Sequence, residues 1–200
     1  MGIEAAAMPL FEVCSVSWSA PDPANYDLLL LTSANALRHG GAELGRLRLL
    51  PVAAVGEATA AAARELGFRV EQVGHGGVAA LLETLPPMLR LLHLAGHDRS
   101  EIADAIHCIE VVNVYAAATI DPPNDLEVLA AGAVVALHSP RAASRLAALT
   151  ENYGIDRATI ALVAFSPAVA AAAGAGWERI AVAERPSDSA LLALAAELCL

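Results

Sequence analysis

Apolar positions along this chain fall into two rhythms. Tyr26 to Ser33 (YDLLLLTS) and Ala133 to Ser139 (AVVALHS) are short unbroken runs, as strands buried on both faces of a parallel sheet require. Each ends in small polar residues and passes into a stretch with helical spacing, Ala34 to Leu47 after the first and Pro140 to Leu149 after the second. Proline suits the first turn of that second helix.

The same succession then repeats. Pro51 to Leu66 (PVAAVGEATAAAAREL), Gly67-Phe68 and the strand-like Arg69 to Val73 are answered by Ile160 to Ala173 (IALVAFSPAVAAAA), Gly176-Trp177 and Arg179 to Ala183. Both copies go on into Ala/Leu helices, Gly77 to Leu85 and Ser187 to Leu198. Ser33 and Ser139 stand 106 apart, Gly56 and Ser166 stand 110 apart, and Gly67 and Gly176 stand 109 apart. So steady an offset over successive elements indicates an internal duplication.

Strand and helix alternating over short connections imply right-handed crossovers and a parallel sheet in each copy. The expected fold is therefore α/β, with two similar doubly wound, flavodoxin-like lobes. Leu10 to Trp18 and Ile109 to Ala118 fall outside the repeat, alternate, and are β-prone, which suggests a pair of strands joining the lobes. The expected division is lobe 1 from residues 1–12 and 119–200, lobe 2 from 19–108, and linker strands at 13–18 and 109–118. One lobe is then inserted in the other, with a ligand cleft between two similar walls.

Composition narrows the chemistry. The 200 residues are 56% hydrophobic but only 17% charged, and no apolar stretch reaches the roughly 20 residues of a membrane span. A net charge of −10 argues against nucleic acid, whose phosphates need clustered cations. All twelve basic residues are arginine, so no lysine is available for a Schiff base or a P-loop. Cys14, Cys108 and Cys199 read as free thiols in a reducing compartment, and the N-terminus lacks a secretory signal, so the cytoplasm is expected.

In parallel sheets ligands collect beyond the carboxyl ends of the strands. TSANA at 32–36, GEATA at 56–60, SPRAA at 139–143 and SPAVA at 166–170 put hydroxyls and free amides at such ends, a combination that binds carboxylate or phosphate. Ser33, Ser139 and Ser166 are each, taken singly, explained by helix capping. His93 and His97 have the i, i+4 spacing of metal ligands, but LHLAGHDR reads as strand then loop, so no metal is expected. His138 and Ser139 point to opposite faces of a strand and make no catalytic pair. Gly74-His75-Gly76-Gly77 lacks the dinucleotide fingerprint.

Taken in order, YDLLLLTSANALR, PVAAVGEATAAAARELGF, LLHLAGHDR, VYAA, ALHSPRAASRL and ERPSDSALLALA resemble the uroporphyrinogen-III synthase family over nearly the whole chain. The resemblance implies two α/β lobes on a two-stranded linker and a lyase without cofactor or metal. It also implies a small-molecule substrate, hydroxymethylbilane, a linear tetrapyrrole with eight carboxylates. Loss of water would close the ring with inversion of the last pyrrole.

Carried over by motif, Thr32, Ser33 and Asn35 form one substrate-binding wall, with Gly56, Glu57, Ala58 and Thr59 beside them. Ser139, Arg141, Ser166, Pro167 and Ala168 form the opposite wall, Arg141 being the cation for a substrate carboxylate. Where some members carry a tyrosine proposed as the acid, this chain has Arg145, which leaves Tyr115 as the phenol for that role. Members also begin with a strand and helix that have no counterpart here, GIEAAAMPLF resembling the stretch that follows them. The expectation is a monomer, or a dimer should lobe 1 be incomplete. A non-catalytic two-lobed anion binder and an inactive truncated synthase remain as alternatives.

Overall fold

The computed structural model describes residues 5–99, 101–103, 106–121, 126 and 131–199. Its contacts divide the chain into unit 1, Met1–Phe11 with Thr119–Leu200, and unit 2, Glu12–Ala118. Residues 1–4, 122–125 and 127–130 of the expected lobe 1, including part of GIEAAAMPLF, lie outside the described residues. No helix among the described residues is long and apolar enough to cross a membrane.

Unit 2 is built on six strands: β1 (Phe11–Ser15), β2 (Leu28–Leu31), β3 (Val52–Val55), β4 (Val70–Gly74), β5 (Arg90–Gly96) and β6 (Cys108–Thr119), in the order β1-β6-β5-β2-β3-β4. From β4 to β6 every neighbouring pair is parallel. Val16 bonds to Val114 and Ile120 to Leu10, so β1 runs antiparallel to β6 along the sheet's edge. The strands read as linkers lie in this sheet, and the division between units falls within β1, after Phe11, and within β6, before Thr119.

Helices on both faces explain why all four leucines of β2 are buried. Leu29 and Leu31 pack with Leu92, Leu94, Phe68 and the helices α1 (Asn35–His39) and α2 (Glu57–Glu65). Leu28 and Leu30 pack on the opposite face with Leu91 and the α3 (Gly77–Glu83) residues Leu81 and Leu82. Each fully buried leucine contributes roughly 1.5–3 kcal/mol. Gly67, at φ +81°, ends α2 in the left-handed conformation, and Phe68 then drops into the core.

The helix expected over Ala34 to Leu47 is interrupted: α1 stops at His39 and a 3₁₀ segment, Gly41–Leu47, follows. Gly41 has φ +65°, and a Cβ on Gly40 would lie 2.6 Å from the Ala36 carbonyl oxygen. Trp18 Nε1 donates to Gly40 O at 2.8 Å and the Ala20 amide donates to Glu43 at 2.7 Å, anchoring the bend. Such tertiary bonds outweigh the helical spacing of the segment.

Unit 1 contains a parallel sheet of β7 (Val134–Leu137), β8 (Ala161–Ala164) and β9 (Arg179–Val182), in that order. Helices α4 (Pro140–Asn152) and α5 (Pro167–Ala173) cover one face through Leu146, Leu149 and Val169, and Trp177, from the connection after α5, packs into the same cluster. Helix α6 (Asp188–Leu198) covers the other through Leu191. Trp177 follows Gly176 as Phe68 follows Gly67, so the repeat extends to the aromatic that plugs each core.

Candidate functional site

Counting β2 to β6 as first to fifth, the parallel order in unit 2 is 3-2-1-4-5. The winding reverses between β2 and β5, and sheets of this topology take ligands beyond the carboxyl ends of the two strands at that point. Thr32 follows β2 at this point and His93 lies within β5. The register pairs Leu30 with His93, which brings Thr32 Oγ1 to 2.9 Å from His93 Nε2. His93 is 2% exposed, and its Nδ1 has no hydrogen-bond partner among the described residues. Burial, reinforced by the positive charge of Arg99, pushes its pKa down to about 4, so the ring is neutral at pH 7. Sequence reasoning placed His93 on a strand but missed this contact, because only the pairing of β2 with β5 reveals it.

Tyr115 sits at the same end of the sheet. Its ring lies against Gly96, where a Cβ would come within 2.6 Å of the ring, and its centroid is 6.2 Å from that of His39. Arg99 donates to Gly96 O at 3.3 Å and to Asn113 Oδ1 at 2.7 Å, fixing the loop after β5. Gly96→Ala is expected to push the Tyr115 ring aside and to cost about 1–3 kcal/mol by overpacking. A melting curve and the tyrosine ring resonances check this; an unmoved ring would contradict it.

The other expected residues of unit 2 separate into three groups. Ser33 Oγ accepts the Asn35 amide at 3.2 Å, and Asn35 Oδ1 accepts from Arg38 at 3.2 Å, so both are engaged locally. Gly56, at φ +83°, turns the chain into α2, while the exposed Ala58 and Glu57 lie in its first turn and Glu57 pairs with Arg64. Glu57 puts its own carboxylate at the helix's positive end, where a substrate carboxylate was expected. Thr59 is only 5% exposed and is turned into the interior of the unit. The α2 face that packs on β3 carries it inward together with Ala60 and Ala63.

In unit 1, Ser139 caps α4, its Oγ accepting the Ala142 amide at 3.1 Å. Arg141, in the first turn, is exposed and lies over the Phe11 ring at 4.4 Å from the centroid, a cation–π contact. Ser166 precedes α5 but makes no side-chain capping bond, and Pro167 follows it without an amide proton. Ser166 Oγ therefore remains uncommitted to the helix end, beside the exposed Ala168. The Arg145 Nη2 donates to Ile120 O at 3.5 Å, and its buried Nε has no partner among the described residues. His138 Nε2 is 3.1 Å from Asp188 Oδ1, a pairing that leaves Ser139 to its cap.

Among the described residues no group of three or more His, Cys, Asp or Glu could hold a metal ion. The described polar groups suit anion binding and proton handling at strand ends.

A family model described as uroporphyrinogen-III synthase HemD matches residues 1–193. Among solved structures, the chain is similar to the uroporphyrinogen-III synthetase of Helicobacter pylori 26695. That match has 20% identity and a TM-score of 0.66, covering 94% of this chain and 91% of that one. The wild-type uroporphyrinogen III synthase of Thermus thermophilus aligns at 18% identity with a TM-score of 0.43, over 96% and 87% of the two chains. No curated protein matches the chain.

Proposed function

The chain belongs to the uroporphyrinogen-III synthase family, whose enzymes serve tetrapyrrole biosynthesis, and from that membership we propose that it acts as a cyclising hydro-lyase on hydroxymethylbilane. The observation that carries this reading is the family match across residues 1–193, from one end of the duplicated fold nearly to the other. In the proposed reaction the bond from the terminal methylene carbon to its hydroxyl breaks. The hydroxyl leaves as water with one added proton, and the substrate's own pyrroles supply the electrons. A spiro intermediate inverts the last ring before closure, and a pyrrole carbon releases the balancing proton.

The protein's part is then to hold a flexible chain in one reactive arrangement and to deliver a proton. In unit 2 the carboxylate anchors are Thr32, Ser33 and Asn35, with the Gly56–Ala58 turn beside them. In unit 1 they are Ser139, Arg141, Ser166, Pro167 and Ala168. The uncommitted hydroxyl of Ser166 and the exposed guanidinium of Arg141 support that assignment. Tyr115 is the proton donor in this reading, held by its ring against Gly96. The chain works in the cytoplasm as a monomer.

The test is isomer analysis. Hydroxymethylbilane is generated in place, the protein is added, and the products are oxidised and separated. Uroporphyrin III is expected; isomer I alone, the product of unassisted closure, would refute the reading. Arg141→Ala is expected to raise KM by about tenfold with an unchanged melting temperature, the effect of losing one charge-assisted bond. A fall in melting temperature with KM unchanged would instead make Arg141 a structural residue held by Phe11.

A further inference from the structure

We propose that His93 is a positioning residue for Thr32: its Nε2–H donates to Thr32 Oγ1 and thereby turns the Thr32 hydroxyl proton toward a substrate carboxylate at the carboxyl end of β2. The inference rests on the function proposed above and adds to it a residue that no binding motif contains.

His93 stands two residues after Leu91 along β5 and shares its face, and Thr32 stands two after Leu30 and four after Leu28. Both therefore lie on the α3 side of the sheet, at the point where the winding reverses. Their 2.9 Å separation is a hydrogen bond between an almost wholly buried ring and a half-buried hydroxyl.

Which atom donates follows from the ring's other nitrogen. A neutral imidazole has one N–H and one lone pair. Nδ1 is buried without a partner among the described residues. An orphaned buried N–H is rarer and costlier than an orphaned acceptor, so the proton belongs on Nε2, where a partner stands. The ring's depressed pKa keeps it in this neutral form at pH 7.

The consequence lies on the threonine. A hydroxyl has one proton and two lone pairs, and once a lone pair is occupied by Nε2–H its proton is free to donate elsewhere. With the opposite tautomer Thr32 would spend its proton on the ring and present only lone pairs, which repel a carboxylate. A buried histidine thus makes an ordinary threonine into a fixed donor.

The first test needs no variant. With nitrogen-15 in the histidine rings, the His93 shifts at neutral pH are expected to show a protonated Nε2 and a bare Nδ1; a protonated Nδ1 overturns the proposal. The second is functional. His93→Leu, apolar and of similar size, is expected to melt no lower than the parent but to raise KM for hydroxymethylbilane about tenfold, with kcat changed by less than about twofold. His93→Gln sets an amide N–H near the place of Nε2–H and should recover most of that loss. Parental KM in His93→Leu, or a glutamine variant no better than leucine, overturns the assignment. Should the parent form no isomer III, the functional reading has failed, while the ring-nitrogen result still decides the donor.

Discussion

Replacing Arg157 with alanine is expected to destabilise unit 1 by about 3 kcal/mol, read as a fall in the urea midpoint at unchanged slope. Arg157 stands in the 3₁₀ turn before β8 and fastens three parts of the unit. Its Nη2 donates to Ala147 O at 2.6 Å, its Nε to Thr150 Oγ1 at 2.9 Å and its Nη1 to Ala175 O at 3.4 Å. The guanidinium also lies over the Trp177 ring, 5.4 Å from the centroid. Thr150 is 1% exposed, so without Arg157 its oxygen faces an interior with one partner fewer. Ala147 and Thr150 belong to the later turns of α4, where a cation also opposes the negative end of the helix dipole. Charge-assisted bonds contribute roughly 1.5–3 kcal/mol each, and water entering the vacated space offsets part of their loss. Arg157→Lys should recover less than half, because a single ammonium nitrogen cannot reach acceptors that Arg157 meets with three separate nitrogens. A midpoint shift worth less than about 1 kcal/mol for Arg157→Ala would show that these bonds are individually redundant.

Acid is expected to weaken unit 2 through His93 well before its paired carboxylates are protonated. The folded ring titrates at about 4 because burial disfavours its charge, whereas an unfolded histidine titrates near 6.5. Between those values the unfolded chain binds the extra proton, so stability is complete above pH 6.5 and declines as pH falls toward 4. By pH 4 the loss is about 3 kcal/mol, each unit of difference being worth roughly 1.4 kcal/mol. Asp27, held below the usual carboxylate range by Arg90, and Glu43, held down by the Ala20 amide, give way at lower pH. Urea titrations at pH 7, 5.5 and 4 on the parent and on His93→Leu isolate the effect. The variant should lack this part of the decline, and equal slopes against pH would refute the role of the ring.

Both predictions concern residues whose importance the sequence conceals. Arg157 sits in GIDRAT, with no periodicity or motif to distinguish it from the other arginines. Its three acceptors come from a helix and a loop that only folding brings together. His93 was legible as a strand residue, yet its partner lies 61 residues away on a strand that is its neighbour only because β5 pairs with β2. The placement of Thr59 was equally hidden. It is the fourth residue of the GEATA motif, and the rotation of α2 against β3 buries it. Ser139 and Ser166 look alike in sequence, each before a proline, but one hydroxyl caps its helix and the other does not.

What the sequence determined by itself is local and repetitive: the apolar runs that became β2, β3, β7 and β8, the Ala-rich helices after them, the Gly-aromatic pairs that end α2 and precede β9, and hence two copies of one α/β unit. These follow from hydrophobic periodicity and from glycine's access to positive φ, which act over a few residues. The tertiary structure alone decided the order of the strands, the break after α1, the inward turn of Thr59 and the bond from His93 to Thr32. Those depend on which distant backbone is adjacent, and a hydrogen bond or steric contact across the sheet has no trace in the spacing of residues along either strand.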